Sequence, residues 1–112
     1  MSDESDIDIP EGLSPEGLDA ANAILNLVRG REGHVHTGGC RAFYTPAEWA
    51  ARGEEYGLRA ELIVVHDGGV LARYFNPSYG RFSALNAMFK AVEAVGLRVE
   101  PCTAWYTAIY KM

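Results

Sequence analysis

The residues best suited to chemistry lie in a short stretch rich in glycine, histidine and cysteine, at positions 33–40. His34 and His36 point to the same side if this stretch is extended, because side chains alternate along an extended chain. The Gly38-Gly39 pair permits a turn that brings Cys40 back toward them. Imidazole and thiolate groups are preferred ligands of zinc. The pattern therefore makes His34, His36 and Cys40 the candidate metal ligands.

The wider sequence argues against a metal site. No CxxC, HExxH or other spaced ligand pair accompanies these residues. The third histidine, His66, lies beside Asp67 at the end of a predicted strand, and it would have to approach the glycine-rich stretch to complete a site. The sequence favours no metal, and we expect no cofactor.

The same residues are the candidates for catalysis. A pair formed by Cys40 and a histidine would supply a thiolate nucleophile, and a histidine titrates near neutral pH, as a general base requires. A free cysteine is more often a small buried hydrophobic residue, which is the favoured interpretation of Cys40. The candidate catalytic residues are His34, His36, Cys40, His66 and Asp67.

A second set of residues is typical of binding surfaces. Positions 76–81 lie between a predicted strand and a predicted helix, where ligands often bind. Tyrosine, tryptophan and arginine are also common at protein interfaces. The last predicted strand carries large groups on both faces, so it is either central in the sheet or covered by a partner. The candidate binding residues are Asn76, Tyr79, Arg81, Trp105 and Tyr106.

Charge is distributed unevenly along the 112 residues. The net charge is −5, yet residues 1–16 hold six acidic residues and no lysine or arginine, while the remainder has ten basic residues against nine acidic ones. A nearly neutral body has no broad basic surface for a phosphate backbone, so we expect no nucleic-acid binding. Residues 1–12 are predicted to form a disordered acidic tail, and residues 13–112 a single domain.

Local patterns place the elements that must position these residues. Ser14 and Pro15 begin a first helix that we expect to end at Gly30, and Thr45 to Glu48 begins a second that runs to about residue 55. Residues 58–66 and 70–75, joined by Asp67-Gly68-Gly69, are predicted to form a hairpin. A third helix covers about 82–95. Short strands are expected at 40–44, 97–100 and 103–110.

These elements predict an α+β single domain. We expect a mainly antiparallel sheet of four to five strands, with about three helices packed on one face and the order α-(β)-α-β-β-α-β-β. No apolar run is long enough to cross a membrane, and no basic segment followed by an apolar one marks a secretory signal, so a cytoplasmic location without membrane contact is expected.

Two functions are compatible with the sequence. The leading hypothesis is a small non-enzymatic binding protein that associates with itself or docks on a protein partner, because an uncovered strand edge tends to be paired. The alternative is a small enzyme or a metal- or ligand-binding protein whose pocket collects His34, His36, Cys40, His66, Asp67 and Arg81. Residues 41–112 resemble short bacterial or phage proteins, but no motif assigns them to a named family and no functional residue can be carried over.

Overall fold

The computed structural model describes residues 9–33, 41–54, 59–67, 70–76, 80–103 and 105–112. His34, His36, Cys40 and Tyr79 lie outside these ranges, as do residues 1–8 of the predicted tail. In chain order the elements are α1 (Pro15–Glu32), β1 (Phe43–Tyr44), α2 (Pro46–Ala51), β2 (Leu62–Val65), α3 (Ala72–Phe75), α4 (Phe82–Glu93), β3 (Leu97–Pro101) and β4 (Tyr106–Lys111).

The strands form one antiparallel sheet in the order β1-β2-β4-β3. Leu62 of β2 pairs with Ile109 of β4, and Val99 of β3 pairs with the same residue from the other side. The predicted α+β class and the four-stranded antiparallel sheet are therefore confirmed. Because β4 is central, both of its faces pack within the chain, although Tyr110 is only half-buried, and β3 forms an edge of the sheet.

Two hydrophobic layers enclose the sheet. Helices α1, α3 and α4 pack on one face, where Phe43, Leu62 and Ile109 meet residues such as Ile24 and Met88. Of the three predicted helices, the first and third correspond to α1 and α4 in this layer, and α3 is a helix that the sequence did not predict. Helix α2 lies on the other face, where its Trp49 packs with Ile63, Val65, Tyr106 and Ala108. Ile9, which the sequence placed in the tail, packs partly buried against the first layer.

The helix ends show why these sequences are helical. The Ser14 side chain accepts a hydrogen bond from Gly17 N at 3.0 Å, and Pro15 occupies the first helical position, where no donor is needed. The helix continues past Gly30, the predicted stop, to Gly33, whose φ of 82° closes it in the left-handed region. In α2, Thr45 and Glu48 form the predicted capping box.

The predicted strand at residues 70–75 is wrong, because Ala72–Phe75 form the short helix α3. The buried residues Val70, Leu71, Tyr74 and Phe75 follow a helical spacing and not the alternation of a half-buried strand. In addition, β2 already pairs with β1 on one side and with β4 on the other, so a second hairpin strand has no edge to join. The hairpin signal at Asp67 therefore did not determine the fold.

Within the described ranges, none of the helices has the length and apolar character needed to cross a bilayer.

Candidate functional site

His66, the predicted general base that the structure describes, lies in the core just after β2. Its side chain is 2% exposed, and its Nε2 is 2.9 Å from Thr107 Oγ1. The ring stacks on Phe75 with centroids 5.1 Å apart. Its backbone N–H donates to the Trp105 carbonyl at 2.8 Å, which ties the end of β2 to the start of β4. This geometry is that of a packing residue that does not face solvent.

Burial also determines how His66 titrates. Removal from water lowers the pKa of His66 to about 4, although the charge of Asp67 and nearby backbone groups oppose this shift. The folded protein therefore holds a neutral imidazole at pH 7. An unfolded chain takes up a proton below a pKa of about 6.5, so it binds more protons than the folded chain in the interval between the two values. Stability from this group is complete above that interval and is lost as the pH falls through it.

Two further residues of the predicted chemical set, Asp67 and Arg81, lie within the described ranges. Asp67 and Arg81 are exposed, and Arg81 caps the start of α4 without a side-chain hydrogen bond to the helix. Asn76 is half-buried and follows α3. Across the ranges that the structure covers, no three histidine, cysteine or carboxylate side chains come close enough to share a metal ion. Cys102 is half-buried near the β3–β4 turn, and burial raises the pKa of its thiol.

Trp105 and Tyr106, predicted as binding residues, belong to an aromatic cluster on the α2 face of the sheet. The rings of Trp105 and Tyr106 lie 4.6 Å apart, and those of Trp49 and Tyr106 lie 4.9 Å apart. The Arg52 guanidinium covers Trp49 at 4.6 Å. Tyr106 is buried and Trp105 is half-buried, so most of this aromatic surface is used in packing within the chain.

A small pocket of about 280 Å³, lined by both apolar and polar groups, lies between the first turns of α1 and α2. Ser14 Oγ lies 2.5 Å from Glu61 Oε1 and also accepts from Gly17 N. These polar groups bond to one another, and the hydrogen bond between Ser14 and Glu61 connects the start of α1 to the segment before β2.

An apolar groove of about 410 Å³ lies open beside α4, and we call it the α4 groove. Its lining residues are Phe75, Phe82, Leu85, Asn86, Phe89 and Pro101. Phe82 is 67% exposed and Phe89 is 37% exposed. Single exposed apolar residues are common, but a contiguous exposed apolar patch marks an interaction site, so this groove is the candidate binding surface.

The groove exists because α4 has more apolar surface than the core can cover. Ala84, Met88 and Val92 are buried at a spacing of four residues. Phe82, Leu85 and Phe89 lie about a quarter turn away around the helix. In the sequence, Leu85, Met88, Phe89 and Val92 recur at helical spacing as one apolar stripe. Together with Phe82, this stripe is wider than the roughly 100° that a helix usually buries against a core, which indicates that part of the stripe faces outward.

Strand β3 borders the same region, because Pro101 at its end lines the groove and α4 packs over the strand. Arg98 and Glu100 project from the opposite face of β3 and form an exposed ion pair. The Arg98 guanidinium also lies 4.9 Å from the Tyr110 ring. The edge strand thus has apolar residues on the helix side and charged residues on the other. No family model, curated protein or solved structure matches the chain.

Proposed function

We propose that this protein is a small, non-enzymatic binding protein that associates with a second copy of itself through the α4 groove. The observation that supports this function is the exposure of Phe82 and Phe89 next to Leu85 in one continuous apolar groove. Covering an apolar side chain is worth about 1.5–3 kcal/mol, because its surface leaves water. A two-fold dimer covers this residue in both copies, which doubles the gain in binding free energy.

The location of the groove is also suited to association. It lies on a helix and at the end of an edge strand, so the surface is presented by regular elements that change little on binding. Asn86 supplies one polar group among the apolar side chains, which matches the usual composition of an interface core with a polar rim.

The alternative function, an enzyme or a metal- or ligand-binding protein, depends on a pocket that collects His66 with the predicted residues His34, His36 and Cys40. The burial of His66 against Phe75 offers no support for that pocket, because a proton-transfer group must reach its substrate. We therefore favour the binding function.

Phe82→Asp tests the proposal. Phe82 is the first residue of α4, where a carboxylate is favourable to the helix, so the substitution removes apolar surface without harming the fold. Leu18→Asp is the matched control, since Leu18 is 44% exposed in the first turns of α1 and lies outside the α4 groove. Two lost Phe82 side chains per dimer should raise the dimer dissociation constant on the order of 100-fold.

Sedimentation equilibrium of the full chain from micromolar to millimolar concentration provides the measurement, with circular dichroism to verify folding. We expect the unmodified chain and Leu18→Asp to dimerise alike and Phe82→Asp to remain monomeric. A monomeric unmodified chain at every concentration would refute self-association. Equal weakening by both substitutions would refute the role of the groove.

A further inference from the structure

We propose that the edge strand β3 pairs with β3 of the second copy, antiparallel and centred on Val99, so that one sheet continues through the dimer. This inference rests on the proposed self-association and specifies its geometry. It comes from three properties of Leu97–Pro101: the direction of its backbone groups, the order of its charges and its position beside the α4 groove.

The backbone groups of β3 that face outward follow from its pairing with β4. Met112 N donates to the Gly96 carbonyl, and Cys102 N donates to the Tyr106 carbonyl, both at 3.3 Å. Hydrogen-bonded pairs alternate along an antiparallel ladder, so Arg98 and Glu100 between them also point their backbone groups toward β4. The N–H and carbonyl groups of Leu97 and Val99, and the carbonyl of Pro101, therefore face away from the sheet. Among the residues that the structure describes, no other strand pairs with this edge.

A two-fold axis at Val99 uses these outward groups. The two Val99 residues would exchange a pair of N–H to carbonyl hydrogen bonds across the axis. At each end, Leu97 N would donate to the Pro101 carbonyl of the other copy. The reciprocal bond is missing because proline has no N–H, so the pairing between the two β3 strands ends at Pro101. The two-fold arrangement uses the β3 edge of both copies, which limits this contact to a dimer.

The charges of β3 select this register over its neighbours. With the axis at Val99, Arg98 of each copy lies opposite Glu100 of the other, in a pair whose side chains come closest together. Shifting the axis to Arg98 would place two arginines face to face, and shifting it to Glu100 would do the same with two glutamates. Opposite charges stabilise directly paired positions and like charges destabilise them, so the strand is complementary to itself only around Val99.

The register also supplies an occupant for the α4 groove. Antiparallel pairing places the start of one β3 beside the end of the other, where Pro101 lines the groove. The turn before Leu97 carries Val95, which is 40% exposed. We assign the end of the α4 groove near Pro101 to this turn of the second copy. Burial of apolar surface there and strand pairing at Val99 would then form one interface.

Complementary charge reversal tests the register. In Arg98→Glu, each glutamate would face Glu100 of the other copy, and in Glu100→Arg, each new arginine would face Arg98. We expect each variant alone to dimerise at least about ten-fold more weakly than the unmodified chain. The double variant R98E/E100R should recover dimerisation to within about three-fold. An equimolar mixture of the two single variants should form a heterodimer, because both of its cross-strand pairs are then opposite in charge.

Native mass spectrometry of the mixture separates the heterodimer from either homodimer by mass. Statistical mixing, or unchanged homodimers of the single variants, would overturn the β3 register. If Phe82→Asp still dissociated the dimer in that case, the proposed function would stand without this geometry. A monomeric unmodified chain would remove both.

Amide hydrogen exchange gives a second readout that charge alone does not affect. The Val99 amide faces outward, so it should exchange rapidly in the monomeric Phe82→Asp variant and at least ten-fold more slowly in the dimer. The Arg98 amide, which bonds to β4, should be protected in both and serves as the internal control. Exchange at Val99 that does not depend on protein concentration would contradict pairing at this edge.

Discussion

Gly17 lies where α1 crosses the segment before β2, and its replacement by alanine tests how closely these two elements approach. A Cβ atom at Gly17 would lie well under 3.0 Å from the Glu61 carbonyl oxygen, closer than real Cβ atoms come, and 3.2 Å from a methyl group of Leu13. The backbone of α1 at Gly17 and the backbone at Glu61 are both held in place. Glu61 N donates to Ile109 O at 2.7 Å, and Ser14 Oγ bonds to the Glu61 side chain.

Two opposing effects determine how much Gly17→Ala changes the free energy of unfolding. Alanine favours a helix interior over glycine by about 1 kcal/mol. Overpacking against atoms that cannot move typically costs about 1–3 kcal/mol, and a backbone carbonyl places Gly17 at the upper end of that range. We expect Gly17→Ala to lower the free energy of unfolding by about 2 kcal/mol, which corresponds to a fall in Tm of about 8 °C for a chain of this size.

Gly30→Ala is the matched control, because Gly30 lies in the same helix with nothing within 4 Å of its would-be Cβ. There only the helix preference acts, so we expect a gain of about 0.5–1 kcal/mol. Urea unfolding followed by circular dichroism measures both variants. The opposite signs are the essential result. If both substitutions stabilised the protein equally, the close approach of α1 to Glu61 would be refuted.

Lowering the pH from 7.5 to 5 should cost about 2 kcal/mol of unfolding free energy, because the unfolded chain binds a proton that folded His66, with its pKa of about 4, does not. His66→Gln should remove most of this slope in urea unfolding, and an unchanged slope would count against the assignment. Thr45→Ala should lose about 1 kcal/mol by leaving the first turn of α2 uncapped, whereas Thr45→Ser should lose little. Equal losses in a thermal melt would contradict the capping role.

The helix starts could be predicted because their physics is local. Ser14 with Pro15, and Thr45 with Glu48, satisfy or avoid unpaired N–H groups within one turn of the chain. The Arg41 side-chain hydrogen bond, followed by the bond from Thr45, lowers the pKa of Glu48 and keeps its carboxylate available to the cap. The strands predicted at residues 58–66 and 97–100 correspond to Leu62–Val65 and Leu97–Pro101, and the β-branched residues of the first favour a sheet.

Residues 70–75 could not be assigned locally, because their sequence is compatible with both a strand and a helix. Their outcome depends on whether β2 has a free edge, and it has none once β1 and β4 pair with it. Contacts distant in sequence then hold α3 in place: Tyr74 Oη donates to Glu32 at 2.7 Å, and Arg73 forms an ion pair with the same carboxylate.

The candidate site divides in the same way. The sequence identified His66, Trp105 and Tyr106 as notable residue types, but their burial depends on which strands flank β2 and β4. Phe82, Phe89 and the alternating charges of β3 are also visible in the sequence. Their exposure, however, depends on how α4 packs and on the edge position of β3.

The amino-acid pattern was enough to establish an α+β domain with capped helices and a small antiparallel sheet, because capping and periodicity act over a few residues. The strand order, the core position of His66, the edge position of β3 and the open side of α4 arise only when distant segments pack. A residue's exposure is a property of its neighbours in space, and those neighbours are set by the whole chain.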